Sequence, residues 1–173
     1  EGDLFFAIEG DRFDGHEYVG EALDRGAITA IVSRRVDLPG NRFDERCLLV
    51  PDTRKALGDL AQHYVRRWGG QVVAITGSNG KTTTKEMTHH VLSGRFTTGR
   101  APASYNNEIG VPHSIFQLDR EDRFGVLEMG TSGPGEITRL AQIAQPVVGV
   151  ITNVGETHLE GLSSLKGVAA AKA

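Results

Sequence analysis

The chain has 173 residues, 39% of them hydrophobic and 24% charged, enough for one or two small globular domains. A net charge of −3 argues against a broad basic face for nucleic acid and leaves room for small anionic ligands, which need only local positive groups. The apolar runs are strand-sized, so no membrane span is expected, no signal-peptide pattern is present, and the single cysteine, Cys47, excludes a disulfide framework and fits a cytoplasmic protein.

Leu4 to Ile8 reads as a short buried strand, followed by a polar turn at Glu9 to Arg12. His16 to Gly26 carries Val19, Ala22 and Leu23 at helical spacing, with Gly26 as the stop. Ala27 to Val32 is a strand. Ser33 to Glu45 is a polar connection with a turn at Pro39-Gly40-Asn41, and Leu48 to Val50 is another strand that places Cys47 in the core. Asp52 can cap a helix running to Trp68, with Ala56, Leu57, Leu60, Ala61 and Tyr64 on one face. Strand 72–76, helix 81–92, helix 108–116, strand 124–129, helix 135–144, strand 147–152 and a helix from Ser164 onward follow. Alternation of this kind implies a mostly parallel sheet with right-handed crossovers. The expected fold is α/β: a small N-terminal α/β domain over 1–51 and a P-loop domain over 52–173. The chain starts at Glu1 and stops inside an apparent helix at Ala173, so both domains are expected to be incomplete.

The most informative run is Val72 to Thr84. A β-branched stretch enters the turn Gly77-Ser78-Asn79-Gly80 and leaves through Lys81-Thr82-Thr83 into a helix. Glycines let a backbone approach phosphates, successive N–H groups point inward, and the helix N-terminus adds its positive end. Lys81 would reach the outer phosphates and the Thr82 hydroxyl a magnesium ion. The general pattern has a glycine six residues before the lysine, where this chain has Ile75; the loop is therefore a compact Gly-x-x-Gly-Lys-Thr form.

In open parallel sheets, ligands bind beyond the carboxyl ends of the strands. Three strands would deliver Lys81 and Thr82, Glu128, and Asn153 with His158 to one such edge. Glu128, closing an apolar strand, suits magnesium, which prefers oxygen ligands. A loop histidine is more often a bystander, but the place of His158 on this edge puts a metal or substrate contact on an equal footing. For Asn106-Asn107, local chemistry favours a helix cap over a substrate contact. Lys172, on an Ala-rich helix, is either solvent-facing or a buried amine of lowered pKa; nothing local decides between them.

Several segments together resemble the Mur ligase family. They are Gly77-Ser78-Asn79-Gly80-Lys81-Thr82-Thr83-Thr84-Lys85-Glu86-Met87, then Asn106-Asn107-Glu108-Ile109-Gly110-Val111-Pro112, and Glu128-Met129-Gly130 with Gly135-Glu136-Ile137. Ile151-Thr152-Asn153-Val154-Gly155 followed by His158-Leu159-Glu160-Gly161 completes the set in the P-loop domain. Gly2 to Ile8 and Phe13-Asp14-Gly15-His16 resemble the N-terminal domain of the member that joins D-Ala-D-Ala to UDP-MurNAc-tripeptide.

The resemblance implies an ATP- and Mg2+-dependent ligase of peptidoglycan precursor synthesis. ATP would phosphorylate the tripeptide carboxylate, and the dipeptide amine would attack the acyl phosphate. It implies nucleotide contacts from Gly77, Ser78, Asn79, Gly80, Lys81, Thr82, Thr83 and Asn153. It also implies metal contacts from Thr82, Glu128 and His158, and substrate contacts from Asn106 and Asn107. Catalytic roles fall to Lys81, His158 and a carbamylated Lys172. The chain is expected to work as a monomer, without nucleic acid or membrane, and as a fragment not to turn over alone. Ser104 stands where the family often has Asn. A sibling ligase adding the third amino acid, and a P-loop kinase-like module without ligase activity, are the competing readings.

Overall fold

The computed structural model describes residues 2–38, 43–155 and 164–172. Its chain divides into two units, Glu1–Leu57 and Gly58–Ala173. In the first unit, β1 (Leu4–Phe6), β2 (Thr29–Val32) and β3 (Cys47–Leu49) form a parallel three-stranded sheet in chain order. Between β1 and β2 the expected single helix is split into a 3-10 turn (Gly15–Tyr18) and α1 (Val19–Asp24). The split follows from Asp14, whose side chain accepts from the His16 N–H at 2.9 Å and so tightens the first turn. Val19 and Leu23, one helical turn apart, close on Ala7, Ala30 and Val32, and half-buried Cys47 packs against this cluster. The stretch read as a polar connection ends in one turn of helix, α2 (Phe43–Arg46). The turn expected at Pro39-Gly40-Asn41 lies outside the described residues.

His16 is 1% exposed. Its Nε2 accepts from the Ser33 backbone N–H at 3.0 Å, which leaves the proton on Nδ1, 2.6 Å from Asp14 Oδ1. Asp14 also pairs with Arg34. One buried ring thereby ties the turn after β1 to the end of β2.

The second unit is a four-stranded sheet in the order β5-β6-β4-β7, parallel throughout. β4 (Gln71–Thr76) is central, between β6 (Phe124–Glu128) and β7 (Val148–Ile151); β5 (Thr98–Arg100) lies outside β6. Successive β4 side chains face opposite sides. Val72 and Ala74 join Leu127 beneath α3 (Thr53–Trp68), α5 (Gly110–Phe116) and α6 (Glu136–Ala144), through Ala61, Val65, Ile115 and Leu140. Val73 and Ile75 join Val126 on the other side, where Leu92 of α4 (Lys81–Ser93) packs. Both faces are covered, so β4 reads as one unbroken apolar run. Helix α7 (Leu165–Lys172) follows β7 in the described chain. The sequence holds no apolar run at β5; its Thr98-Gly99-Arg100 becomes a strand only by pairing with Phe124 to Val126. No helix among the described residues is long and apolar enough to cross a membrane.

The Asp14 carboxyl is lowered from 3.8 to about 2, chiefly by the His16 backbone N–H, then by the His16 ring and Arg34. Its folded-state value lies below its unfolded one, so its stabilisation is complete above about pH 4 and is lost as pH falls toward about 2. Urea unfolding should show Asp14→Asn lowering the midpoint most near neutral pH, with the gap to the parent narrowing through that window. A gap that stays constant to about pH 2 would contradict the linkage.

Candidate phosphate and cation site

The loop between β4 and α4 is built on two glycines that no other residue replaces easily. Gly77 has φ +145°, and a Cβ there would lie 1.9 Å from Thr152 Oγ1; Gly80, at φ +77°, takes the chain into α4. The first hydrogen bond of α4 runs from Thr84 N–H to Gly80 O, so the N–H groups just before it have no intrahelical partner and face the loop mouth.

The segment after β7 is sewn to this loop. Thr152 Oγ1 donates to Asn79 O at 2.6 Å, and Asn153 Oδ1 accepts from Asn79 N–H at 3.0 Å. Asn153 O accepts from Ser78 N–H at 3.1 Å, and Gly155 N–H donates to Ser78 Oγ at 2.9 Å. Asn153, for which the resemblance implies a nucleotide contact, braces the loop through its bonds to Asn79 and Ser78.

Lys81 Nζ donates to Gly77 O at 2.9 Å, folded back over the loop it belongs to. Thr82 Oγ1 donates to Glu128 Oε2 at 2.7 Å. Glu128 is 2% exposed, and its other oxygen accepts from Asn106 Nδ2 at 2.8 Å. Among the described residues its partners are therefore two neutral donors, with no cationic side chain. Burying a carboxylate on neutral donors alone is costly, and a cation offsets that cost. Thr82 and Glu128 are thus adjacent.

The asparagine pair divides its work. Asn107 Oδ1 accepts from Ile109 N–H at 3.1 Å and Gly110 N–H at 2.8 Å, capping α5 as local chemistry suggests. Asn106 holds Glu128 by its side chain, and its carbonyl accepts Gly130 N–H at 2.8 Å. Asn106 as a brace for the carboxylate is not legible in the sequence, because the two residues are far apart in the chain and meet only through the sheet.

Lys172 is 5% exposed, at the end of α7. Its pKa is lowered, first by burial and then by the nearby Lys81 ammonium. This is the buried alternative of the two left open by its sequence. His158 lies outside the described residues. Lys85, which carried no role in the sequence, is buried completely on α4. A lysine in a helix is ordinarily read as solvated, and only its position one turn beyond Thr82 could have marked it.

Known proteins resemble this chain over nearly its whole length. Residues 75–173 match the Mur ligase middle domain and residues 1–65 the Mur ligase family, catalytic domain. The UDP-N-acetylmuramoyl-tripeptide–D-alanyl-D-alanine ligase of Bacillus subtilis (strain 168) is 41% identical over 98% of this chain and 36% of its own length. The enzyme of the same name from Escherichia coli (strain K12) is 40% identical over 99% of this chain and 37% of its own. Among solved structures, MurF from Acinetobacter baumannii superposes with a TM-score of 0.90 at 38% identity, covering 98% of this chain and 37% of that one. MurF ligase from Thermotoga maritima in complex with ADP does so with 0.90 at 38%, covering 99% and 39%. The chain spans little more than a third of the length of the relatives it matches. The middle-domain match alone takes in more than half of the residues, and the chain belongs to the Mur ligase family.

Proposed function

We propose that this chain forms the ATP-handling part, and a portion of the substrate-binding part, of a peptide ligase that joins D-Ala-D-Ala to UDP-MurNAc-tripeptide in peptidoglycan precursor synthesis. The observation that carries the reading is Glu128: a buried carboxylate on neutral donors, bonded to the Thr82 hydroxyl at the mouth of a phosphate loop. The relatives' printed names supply the substrates, and the ADP complex of the Thermotoga maritima enzyme supports a nucleotide in this loop.

The donor set fits Mg2+. Thr82 and Glu128 are hard oxygen donors, which suits an ion that keeps water and takes few carboxylates. When bound, the ion would neutralise charge on the β- and γ-phosphates. Free N–H groups at the start of α4 would hold the phosphates, and Lys81 would swing from Gly77 O to the γ-phosphate. A tripeptide carboxylate oxygen attacks the γ-phosphorus, the bond to the β-phosphate oxygen breaks, and ADP leaves. The D-Ala-D-Ala amine then attacks the acyl carbon, losing a proton as phosphate departs. Little covalent work falls to the protein: its residues position groups and balance charge.

Lys172 would act as a carbamate. Its lowered pKa enlarges the neutral fraction of the amine, which adds to CO2 with release of a proton. The product is an anion beside Lys81, replacing a repulsion with an attraction. The reading places His158, in the segment after Gly155, at a second metal ion. The site Gly77 to Thr83 with Asn153 is assigned to the nucleotide, and Asn106 and Asn107 to the edge facing the peptide substrate. The substrates are nucleotide-linked and water-soluble, so the protein would act in the cytoplasm, as a monomer.

Full-length protein should release phosphate from ATP only when UDP-tripeptide and D-Ala-D-Ala are both present. Equal turnover with a diamino acid would move the assignment to the sibling ligase, and release that ignores both acceptors would leave only a nucleotide-hydrolysing module. Lys81→Ala should lower kcat by about 10²- to 10³-fold, the range for loss of one transition-state donor. For Lys172, protein in 13C-labelled bicarbonate should give a carbamate carbon signal by NMR. That signal should fade as pH is lowered and be missing from Lys172→Ala. A parent spectrum without it would remove Lys172 from the mechanism.

A further inference from the structure

Lys85 is a lysine with no exposed surface, and nothing in the phosphate-transfer scheme uses it. Its Nζ donates to two main-chain carbonyls of the loop after β5, Ala101 O at 2.9 Å and Ala103 O at 2.7 Å. Glu86 Oε1 lies 3.3 Å from the same Nζ as an ion pair. Two hydrogen bonds and one ion pair therefore hold the buried ammonium. Glu86 is shared: its Oε2 pairs with Arg100 Nε at 3.0 Å, and Arg100 Nη1 donates to His89 Nδ1 at 2.9 Å. The first two turns of α4 thus grip the end of β5 through charge.

The gripped loop has a strained point. Ala103 has φ +45°, which a side chain with a Cβ adopts at a cost, and the Lys85 ammonium sits on the carbonyl of that residue. Three residues on, Asn106 donates to Glu128 Oε1, while Thr82, one turn before Lys85 on the same helix, donates to Glu128 Oε2. The two oxygens of one buried carboxylate are therefore held from α4 by two routes. One is direct, through Thr82. The other runs through Lys85, the 101–106 loop and Asn106.

We infer that Lys85 is a positioning residue for the cation site. Its buried ammonium pins the 101–106 loop to α4 and thereby sets the plane of the Glu128 carboxylate. The inference rests on the reading of Thr82 and Glu128 as cation ligands given above. Removing a group that orients a ligating carboxylate lowers metal affinity by about 10- to 100-fold. Nucleotide binding without metal depends on Lys81 and the loop N–H groups, which Lys85 does not touch.

The test uses full-length protein with ADP and Mn2+ as the spectroscopic probe. Lys85→Met should weaken Mn2+ binding to the ADP complex, read by electron paramagnetic resonance, by about tenfold or more. ADP affinity in the presence of a chelator should stay within about twofold. Asn106→Ala should reproduce the shift, and the double variant should be no weaker than the weaker single, because both act along one route. Unchanged Mn2+ affinity in Lys85→Met, an equal loss of metal-free ADP binding, or effects that multiply in the double variant would each overturn the inference. If Lys85→Met does not fold, Lys85→Arg decides. A planar guanidinium cannot reproduce the ammonium's bonds to the Ala101 and Ala103 carbonyls in a pocket with no free surface, so a severalfold weakening of Mn2+ binding by the folded variant is expected, and parent-like Mn2+ affinity overturns the inference. Glu128→Gln separates the two readings: if that variant binds Mn2+ like the parent, the cation-site assignment itself fails, whatever Lys85 does.

Discussion

Ile75 sits opposite Glu128 across the β4–β6 pair, and Thr76 opposite Ile151 across β4–β7. Those two registers bring the ends of three strands level, and every feature of the site depends on them. A slip of one residue between β4 and β6 would turn Glu128 to the other face of the sheet and bury its neighbours on the wrong side. The slip is opposed by packing. Val72 and Ala74 belong to one core and Val73 and Ile75 to another, so neither set has anywhere else to go. Each fully buried aliphatic side chain contributes about 1.5–3 kcal/mol relative to exposure, which outweighs any single polar contact at the loop. Apolar packing far from the chemistry therefore fixes where the carboxylate stands.

The charges at the loop mouth are arranged for a ligand that is itself charged. Lys81 rests on a neutral carbonyl. A phosphate oxygen would add its own negative charge to the bond, so the balance would favour release of Gly77 O once phosphate arrives. Lys172 is repelled by Lys81, and Glu128 is buried without a cation among the described residues. Under the proposed function, a phosphate, a divalent ion and a carbamate would relieve these imbalances in turn. The segment after β7, by contrast, is well bonded to the loop: Thr152, Asn153 and Ser78 close hydrogen bonds around it. Rigidity sits in the braces and unspent charge sits at the mouth.

The N-terminal unit solves a different problem. A sheet of three short strands offers little area to bury, and small units of this kind are marginal on apolar packing alone. His16 supplements it by bonding Ser33 on one side and Asp14 on the other from a fully enclosed position. Gly15 is confined by the backbone of Ala7 and Ile8, since a Cβ would lie 2.6 Å from Ile8 N. The Phe13-Asp14-Gly15-His16 run, noticed in sequence for its resemblance, thus has a structural reason at three of its four positions.

Local order and short-range chemistry were enough to determine much of this protein from its sequence. Strand β4, the glycine turn and the N-terminus of α4 form one continuous run, so the phosphate loop announces itself. Alternating strands and helices imply the parallel sheet, and the end-of-strand rule places Glu128 near Thr82. Asn107 as a cap needs only its own neighbours. The rest required the fold. β5 has no apolar signature and exists because β6 is there to pair with it. Asn106, Asn153 and Lys85 act on groups brought near by the sheet, so no spacing within the chain reveals their partners. The burial of Lys172, on which its lowered pKa depends, is a property of what surrounds α7. Propensity and motif are encoded within a few residues; register, desolvation and convergence of charge are set only when distant segments meet.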